Sequence, residues 1–167
     1  MFRKFLKMRF KRRYFCVEIL FQDDLNALNK LQWHKLKHTN LTETIHESIE
    51  KFYGDLGMAT MMPAFSVIYF NSITNLALLR TSRDLQKKFA NLLAFTRKIG
   101  QFNVTFKVVH VSGSIKKCKK FLVNFCQNRL DCLNEKVLNN PDHKNEMEVV
   151  EKLIEVCEVD DNMFNIK

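Results

Sequence analysis

Hydrophobic and polar positions along the chain fall into blocks of two different periods. Tyr14 to Phe21 carries β-forming residues on both parities, which predicts a strand covered on both faces. From Leu41 the spacing changes to three and four. Leu41, Ile45, Ile49, Phe52 and Leu56 make one helical stripe, opened by Asn40 and Glu43 in capping-box spacing and ending near Gly54 and Gly57. Phe65 to Asn71 and Leu76 to Thr81 are short apolar runs joined by Ser72 to Asn75, the pattern of an antiparallel hairpin. Thr81 or Ser82 then caps a second helix with a stripe of Leu85, Phe89, Leu92 and Leu93, stopping at Gly100. Its other face carries Arg83, Lys87, Lys88, Arg97 and Lys98. Phe102 to Val111 is the last strand. After Ser112-Gly113-Ser114 comes a basic helix with Ile115, Cys118, Phe121, Leu122, Phe125 and Leu130 on its apolar side. Asn139-Asn140-Pro141 ends that region, and a short acidic helix follows with Met147, Val150, Ile154 and Cys157 on one side.

The order β-α-β-β-α-β followed by two helices predicts an α+β fold. It is the ferredoxin-like (RRM-like) βαββαβ sandwich, a four-stranded antiparallel sheet with two helices on one face. Val67 and Ile68, Leu78 and Leu79, and Val108 and Val109 are apolar on both parities, so the second face needs a cover as well. Extra C-terminal helices supply it, the one from Ile115 acting as a lid. An open sheet that stacks bases on a bare face is disfavoured, and no RNP-type aromatic motif is visible. The chain divides into a basic N-terminal arm (1–13), an α/β sandwich domain (14–134) and an acidic C-terminal tail with a short helix (135–167). Gln22 to Asn40 reads as a long loop or short helix. There His34 and His38 stand four apart among lysines with no third metal ligand in place.

Charge sharpens this picture. The 167 residues carry a formal +9, with 46% hydrophobic residues, 15 phenylalanines, 4 glycines and 2 prolines, a composition that argues for a packed domain and against disorder. Nine acids against Lys136, Lys144 and Lys152 lie between Glu135 and Asp161, leaving 23 basic and 9 acidic residues, a net +14, on residues 1–134. A body that basic points to a polyanionic partner, nucleic acid being the commonest. The acidic tail reads as a solvated helix; folding back over basic surface as an electrostatic gate is the other reading. Cys16, Cys118, Cys126, Cys132 and Cys157 form no CxxC pair and read as reduced, mostly buried thiols. No apolar run is long enough for a membrane span. The acid-free start from Met1 to Arg13 imitates a mitochondrial presequence but lacks serine and runs directly into a strand.

Two stretches carry candidate binding chemistry. In residues 1–13, Arg3, Lys4, Lys7, Arg9, Lys11, Arg12 and Arg13 alternate with Phe2, Phe5, Leu6 and Phe10. Such an arm suits a phosphate backbone with unpaired bases beside it. A solvated terminus with a nuclear-import role accounts for it equally. At Ser112-Gly113-Ser114, a strand hands over to a helix whose unpaired N–H groups and dipole favour an anion, with Lys116, Lys117, Lys119 and Lys120 following. Ordinary capping of a surface helix explains the same tripeptide, and spacing alone favours it. No Gly-rich phosphate loop, nucleophile elbow, HExxH or paired Cys/His motif is present. His110 stands beside Ser112 with no carboxylate to orient it, so local bonding or a phosphate contact suits it better than base catalysis. Asp23-Asp24 reads as a solvated loop pair rather than a metal site.

Three blocks stand in order along the chain: Arg9-Phe10-Lys11-x-Arg13-Tyr14; Tyr69-x-Asn71-x-x-Thr74 followed by Leu78-Leu79-Arg80-x-x-Arg83; and His110-Val111-x-Gly113-Ser114-Ile115 with Cys118-x-Lys120-Phe121-Leu122. Together they resemble the basic opening, the hairpin with second-helix start, and the last strand-to-helix junction of the Pop-five family, the small protein subunit of ribonuclease P and ribonuclease MRP shared by archaea and eukaryotes. Order and intervals agree from about Met8 to Leu130. Residues 1–7 extend beyond the usual start, so Met8 stands where the family begins; Ser112 and Ser114 replace a common glycine and threonine. A paralogous subunit shares the fold.

The resemblance implies a non-catalytic RNA-binding subunit of the particle that removes the 5′ leader of precursor tRNA and of its relative that cuts precursor rRNA. It implies a nuclear and nucleolar protein that binds no cofactor of its own, with Mg²⁺ on the partner RNA. Its implied partners are the ribonuclease P/MRP RNA, a TIM-barrel protein subunit and other proteins of the particle. By this carry-over Arg9, Lys11, Arg12, Arg13 and Tyr14 are RNA-contact candidates, with His110, Gly113, Ser114, Lys116 and Lys117 at the junction. Arg80 and Arg83 join them unless an acid inside the fold takes them up. The rival expectations are an acylphosphatase-like hydrolase holding phosphate on Arg13, and a basic protein-interaction module that binds no RNA.

Overall fold

The computed structural model describes residues 11–22 and 32–139. It is an α+β structure: β1 (Arg12–Phe21), α1 (His38–Met61), a 3₁₀ turn (Met62–Ala64), β2 (Ser66–Asn71), β3 (Leu76–Ser82), α2 (Gln86–Phe95), β4 (Lys98–Ile99), β5 (Phe102–Ser112) and α3 (Ile115–Asn139). The strands form one antiparallel sheet in the order β2-β3-β1-β5-β4. It therefore has five strands where the sequence pattern predicts four. The added strand is two residues long, turned back onto Phe102 and Asn103 through Gly100, whose φ of +57° is readily reached only without a Cβ. Two residues are too few for a period to show, and the predicted second helix therefore ends early, at Phe95 rather than at Gly100.

Strand β1 lies between β3 and β5, and Phe15 to Ile19 are all buried. Phe15, Val17 and Ile19 join Ala77 and Leu79 of β3 and Val104 and Phe106 of β5 in the main core, closed by Leu41, Ile45 and Ile49 of α1 and Phe89, Leu92 and Leu93 of α2. On the other parity Cys16, Glu18 and Leu78 are also buried. The Cys16 thiol points to the Cys118 carbonyl at 3.8 Å, and the Cys118 thiol to the Tyr14 carbonyl at 3.7 Å, which fixes the first turn of α3 against β1. Its hydrogen bond with Cys118, then burial, push the Cys16 thiol far above its ordinary pKa. Trp33 anchors the loop before α1. It is buried edge-on against Phe21, Phe70 and Phe102, and its Nε1–H donates to the Ser72 carbonyl and the Asn75 side chain, both at 2.8 Å.

Three local expectations are corrected. Asn40 is the third residue of α1, not its cap: its Oδ1 accepts from the Lys37 N–H at 3.0 Å, because the helix begins a turn earlier. Thr81 and Ser82 pair with Arg13 and Arg12 as the end of β3, and α2 starts after them without a side-chain cap. Finally, α1 continues past Gly54, which breaks it at φ 57°, ψ −156°, and the buried face downstream moves to Gly57 and Met61. Leu56, predicted in the core stripe, is consequently exposed at 76%; Phe52, predicted there too but preceding the break, is exposed at 43% and lies against Phe95 instead of in the core.

Candidate nucleic-acid interface

Antiparallel pairing brings distant candidate residues to one end of the sheet. Arg12, Arg13 and Tyr14 at the start of β1 face Ser82, Thr81 and Arg80 on one side, and on the other Tyr14 faces Ser112. Beyond the strands, the Arg83 N–H donates to the Lys11 carbonyl at 2.8 Å, tying the chain before β1 to the β3–α2 turn. His110 pairs with Cys16 next to a bulge in β5, where the register jumps from His110 to Val108.

Arg13 holds this end together. Its Nε–H donates to Gln86 Oε1 at 3.1 Å and its Nη1 to the Arg12 carbonyl at 3.1 Å. The guanidinium lies against Gly113, where a Cβ would come within 2.9 Å of Nη1. Gly113 has no positive φ; its value is the room it leaves for an arginine, not a turn. At the next step the Ser112 hydroxyl accepts from the Ser114 N–H at 3.2 Å, and the Ser114 carbonyl accepts the first helical bond, from Cys118, also at 3.2 Å. Ser112 thus supports the junction through its side chain. Lys116 and Lys117 are exposed in the first turn of α3, where helix N–H groups lack intrahelical partners.

Lys11 and Arg12 are exposed and Arg80 is half-buried, and all three line a cleft of about 480 Å³. Among the described residues none of these cations, nor Arg83, forms an ion pair; the ion pair that does form joins Lys107 to the buried Glu18 at 3.4 Å, elsewhere on β1 and β5. Of the predicted contact residues, then, Lys11, Arg12, Arg13, Tyr14, Arg80, Arg83, Gly113 and Ser114 gather at one sheet end, with Lys116 and Lys117 next to them in sequence. Arg9 lies outside the described residues. Sequence reasoning missed Gln86, which orients Arg13, and the cleft residues Pro63, Ala64 and Asp84. Nothing local could have found them, since only tertiary folding brings the 3₁₀ turn to the start of β1.

The sequence profile of the Rpp14/Pop5 family matches residues 13–123, from the start of β1 into α3. The chain belongs to that family. The Rpp14/Pop5 match includes Arg13, Tyr14, Arg80, Arg83 and the whole β5–α3 junction, and begins after Lys11 and Arg12. Among similar proteins, the probable ribonuclease P/MRP protein subunit POP5 of Arabidopsis thaliana is 29% identical over 110 residues, 66% of this chain and 73% of that one. The Homo sapiens ribonuclease P/MRP protein subunit POP5 is 27% identical over 151 residues, covering 88% of this chain and 86% of its own. A chain in the cryo-EM structure of yeast ribonuclease MRP is similar with a TM-score of 0.49 and 15% identity, over 65% of this chain and 78% of that one.

Proposed function

We propose that this chain is a non-catalytic, RNA-binding subunit of a ribonuclease P/MRP particle, in which the RNA carries out cleavage with its own Mg²⁺ and this protein supports the RNA through its phosphate backbone. The family match carries the reading, because it spans the strand ends that converge on one basic surface. Lysines and arginines there would neutralise phosphates and release counterions, giving binding that weakens steeply with salt and depends little on sequence. Arg9, Lys11, Arg12, Arg13, Arg80, Arg83, Lys116 and Lys117 would supply the charge, with Tyr14, His110, Gly113 and Ser114 shaping the junction. The strand order β2-β3-β1-β5 also supports a ferredoxin-like core to which β4 adds an edge. A TIM-barrel subunit and other proteins of the particle, and a nuclear and nucleolar setting, complete the reading.

The test is affinity purification of the tagged chain from its own cells, with sequencing of co-purified RNA and an assay for precursor-tRNA cleavage. One abundant structured RNA and 5′-leader cleavage are expected, both reduced when Arg9, Lys11 and Arg13 are replaced by Ala. Cleavage that persists in the triple variant would move the contact surface to Lys116 and Lys117. Recovery of no specific RNA would overturn the reading.

A further inference from the structure

The cleft at the arm end of the sheet is more than a basic surface. Its volume, about 480 Å³, falls among pockets that enclose small ligands, roughly 300–1,000 Å³. Lys11 and Arg12 enter it from the start of β1 and Arg80 from β3, while Pro63 and Ala64 of the 3₁₀ turn give it an apolar lining. Asp84, an exposed carboxylate from the β3–α2 turn, lines the same cleft. Among the described residues it forms no ion pair, although three cations share its cleft. A backbone groove needs cations alone, and a carboxylate within it repels the phosphates that it is meant to hold. A ligand with an anionic end and an amino group pairs with the cations and gives the carboxylate a hydrogen-bond donor at once.

We propose that the cleft receives a single nucleotide splayed out of the RNA strand, its phosphate on Lys11, Arg12 and Arg80, its base against Pro63 and Ala64, and its amino group donating to Asp84. Single-stranded loops and bulges offer such nucleotides, with bases free to stack and to be read at their edges. A carboxylate accepts from an exocyclic amine, as from N4 of cytosine. Adenine, cytosine and guanine carry that amine and uracil does not. The inference rests on the RNA-binding reading above, and adds to it a subsite that distinguishes bases at one position.

The test uses the full chain and a set of RNA hairpins identical except for one bulged nucleotide, A, C, G or U, with a fully paired hairpin as reference. Affinities are measured by fluorescence anisotropy at one salt concentration and again at a higher one. Bulged A, C and G are expected to bind about fivefold or more tighter than bulged U and the paired hairpin, the lower end of what a good base-edge contact discriminates. Asp84→Ala should erase the difference between U and the other bases without weakening the paired hairpin. Ala64→Trp, checked for folding by far-ultraviolet circular dichroism, should bring every bulged hairpin down to the paired one. Equal affinity of the wild-type chain for all five RNAs would overturn the nucleotide subsite while leaving backbone binding intact, and so would a U discrimination that survives Asp84→Ala. Absence of salt-sensitive binding to any hairpin would overturn the RNA-binding reading itself.

Discussion

Gly113 has one job that another residue cannot share, and it concerns space. The atom that a Cβ would meet is Nη1 of Arg13, the far end of a flexible side chain, at 2.9 Å. Gly113→Ala should therefore cost little stability, within about 0.5 kcal/mol as for ordinary surface changes, because the guanidinium can swing away. Swinging away breaks the bonds to Gln86 and to the Arg12 carbonyl that now orient it. An unoriented arginine loses the fixed fork that makes it effective on phosphate. The expected result is an unchanged thermal midpoint with RNA affinity reduced about threefold to tenfold, of the order of one ordinary hydrogen bond, because the arginine keeps its charge and loses only its orientation. Thermal unfolding and an RNA titration on the same preparation check it. A large loss of stability with unchanged affinity would mean that Gly113 serves the fold rather than the surface.

At the scale of elements, the break in α1 ties two glycines together. Gly54 occupies φ 57°, ψ −156°, a region that side-chain-bearing residues rarely enter, but a Cβ there would meet nothing within 4 Å. Gly57 has an ordinary φ, yet its Cβ would collide with Tyr53 Cβ, because the break folds the preceding turn onto it. Gly54→Ala thus carries only backbone strain, about 1–3 kcal/mol. Gly57→Ala forces the break itself to change and with it the seat of Met61 in the core, so it should cost more than Gly54→Ala. Urea unfolding followed through Trp33, the protein's single tryptophan, gives both values. The same helix shows what the sequence could and could not disclose. Leu41, Ile45 and Ile49 follow a helical period and are buried, and Phe89, Leu92 and Leu93 do likewise in α2, so the long elements and their buried faces were legible. Leu56 continues the period but falls outside the core, since periodicity assumes an unbroken helix and Gly54 interrupts it, while Phe52, before the break, pairs with the exposed Phe95. Strand β4 is too short to have a period. The basic junctions at Arg12–Arg13 and Gly113–Ser114 were readable as motifs, whereas their meeting depends on strand register, and the cleft between β1, β3 and the 3₁₀ turn has no local signature.

At the scale of the whole molecule, charge is divided more sharply than the net +9 suggests. Residues 1–134 carry 23 basic against 9 acidic residues, and Glu135 to Asp161 carry nine acids against three lysines. Counterion release makes RNA affinity fall with salt by a slope near 0.7–0.9 per phosphate neutralised, so changing both Lys116 and Lys117 to Ala should flatten that slope by about 1–2 for every RNA tested. The acidic segment poses the opposite question. At 0.15 M salt, charges more than about 8 Å apart are largely screened, so acids that do not contact the basic surface have little influence on phosphate binding. Truncation after Asn139 leaves α3 whole and removes eight of the nine acids, every one from Asp142 to Asp161. If those acids are solvated, affinity at that salt should change by less than about twofold, and a modest gain should emerge only near 0.01 M, where the screening length reaches about 30 Å. A gain of tenfold or more at 0.15 M would instead mean that the acidic segment occupies the phosphate surface when RNA is absent. The two outcomes also differ in kinetics: release of a competitor raises the association rate of the truncated chain, while removal of a distant, screened charge leaves it nearly unchanged.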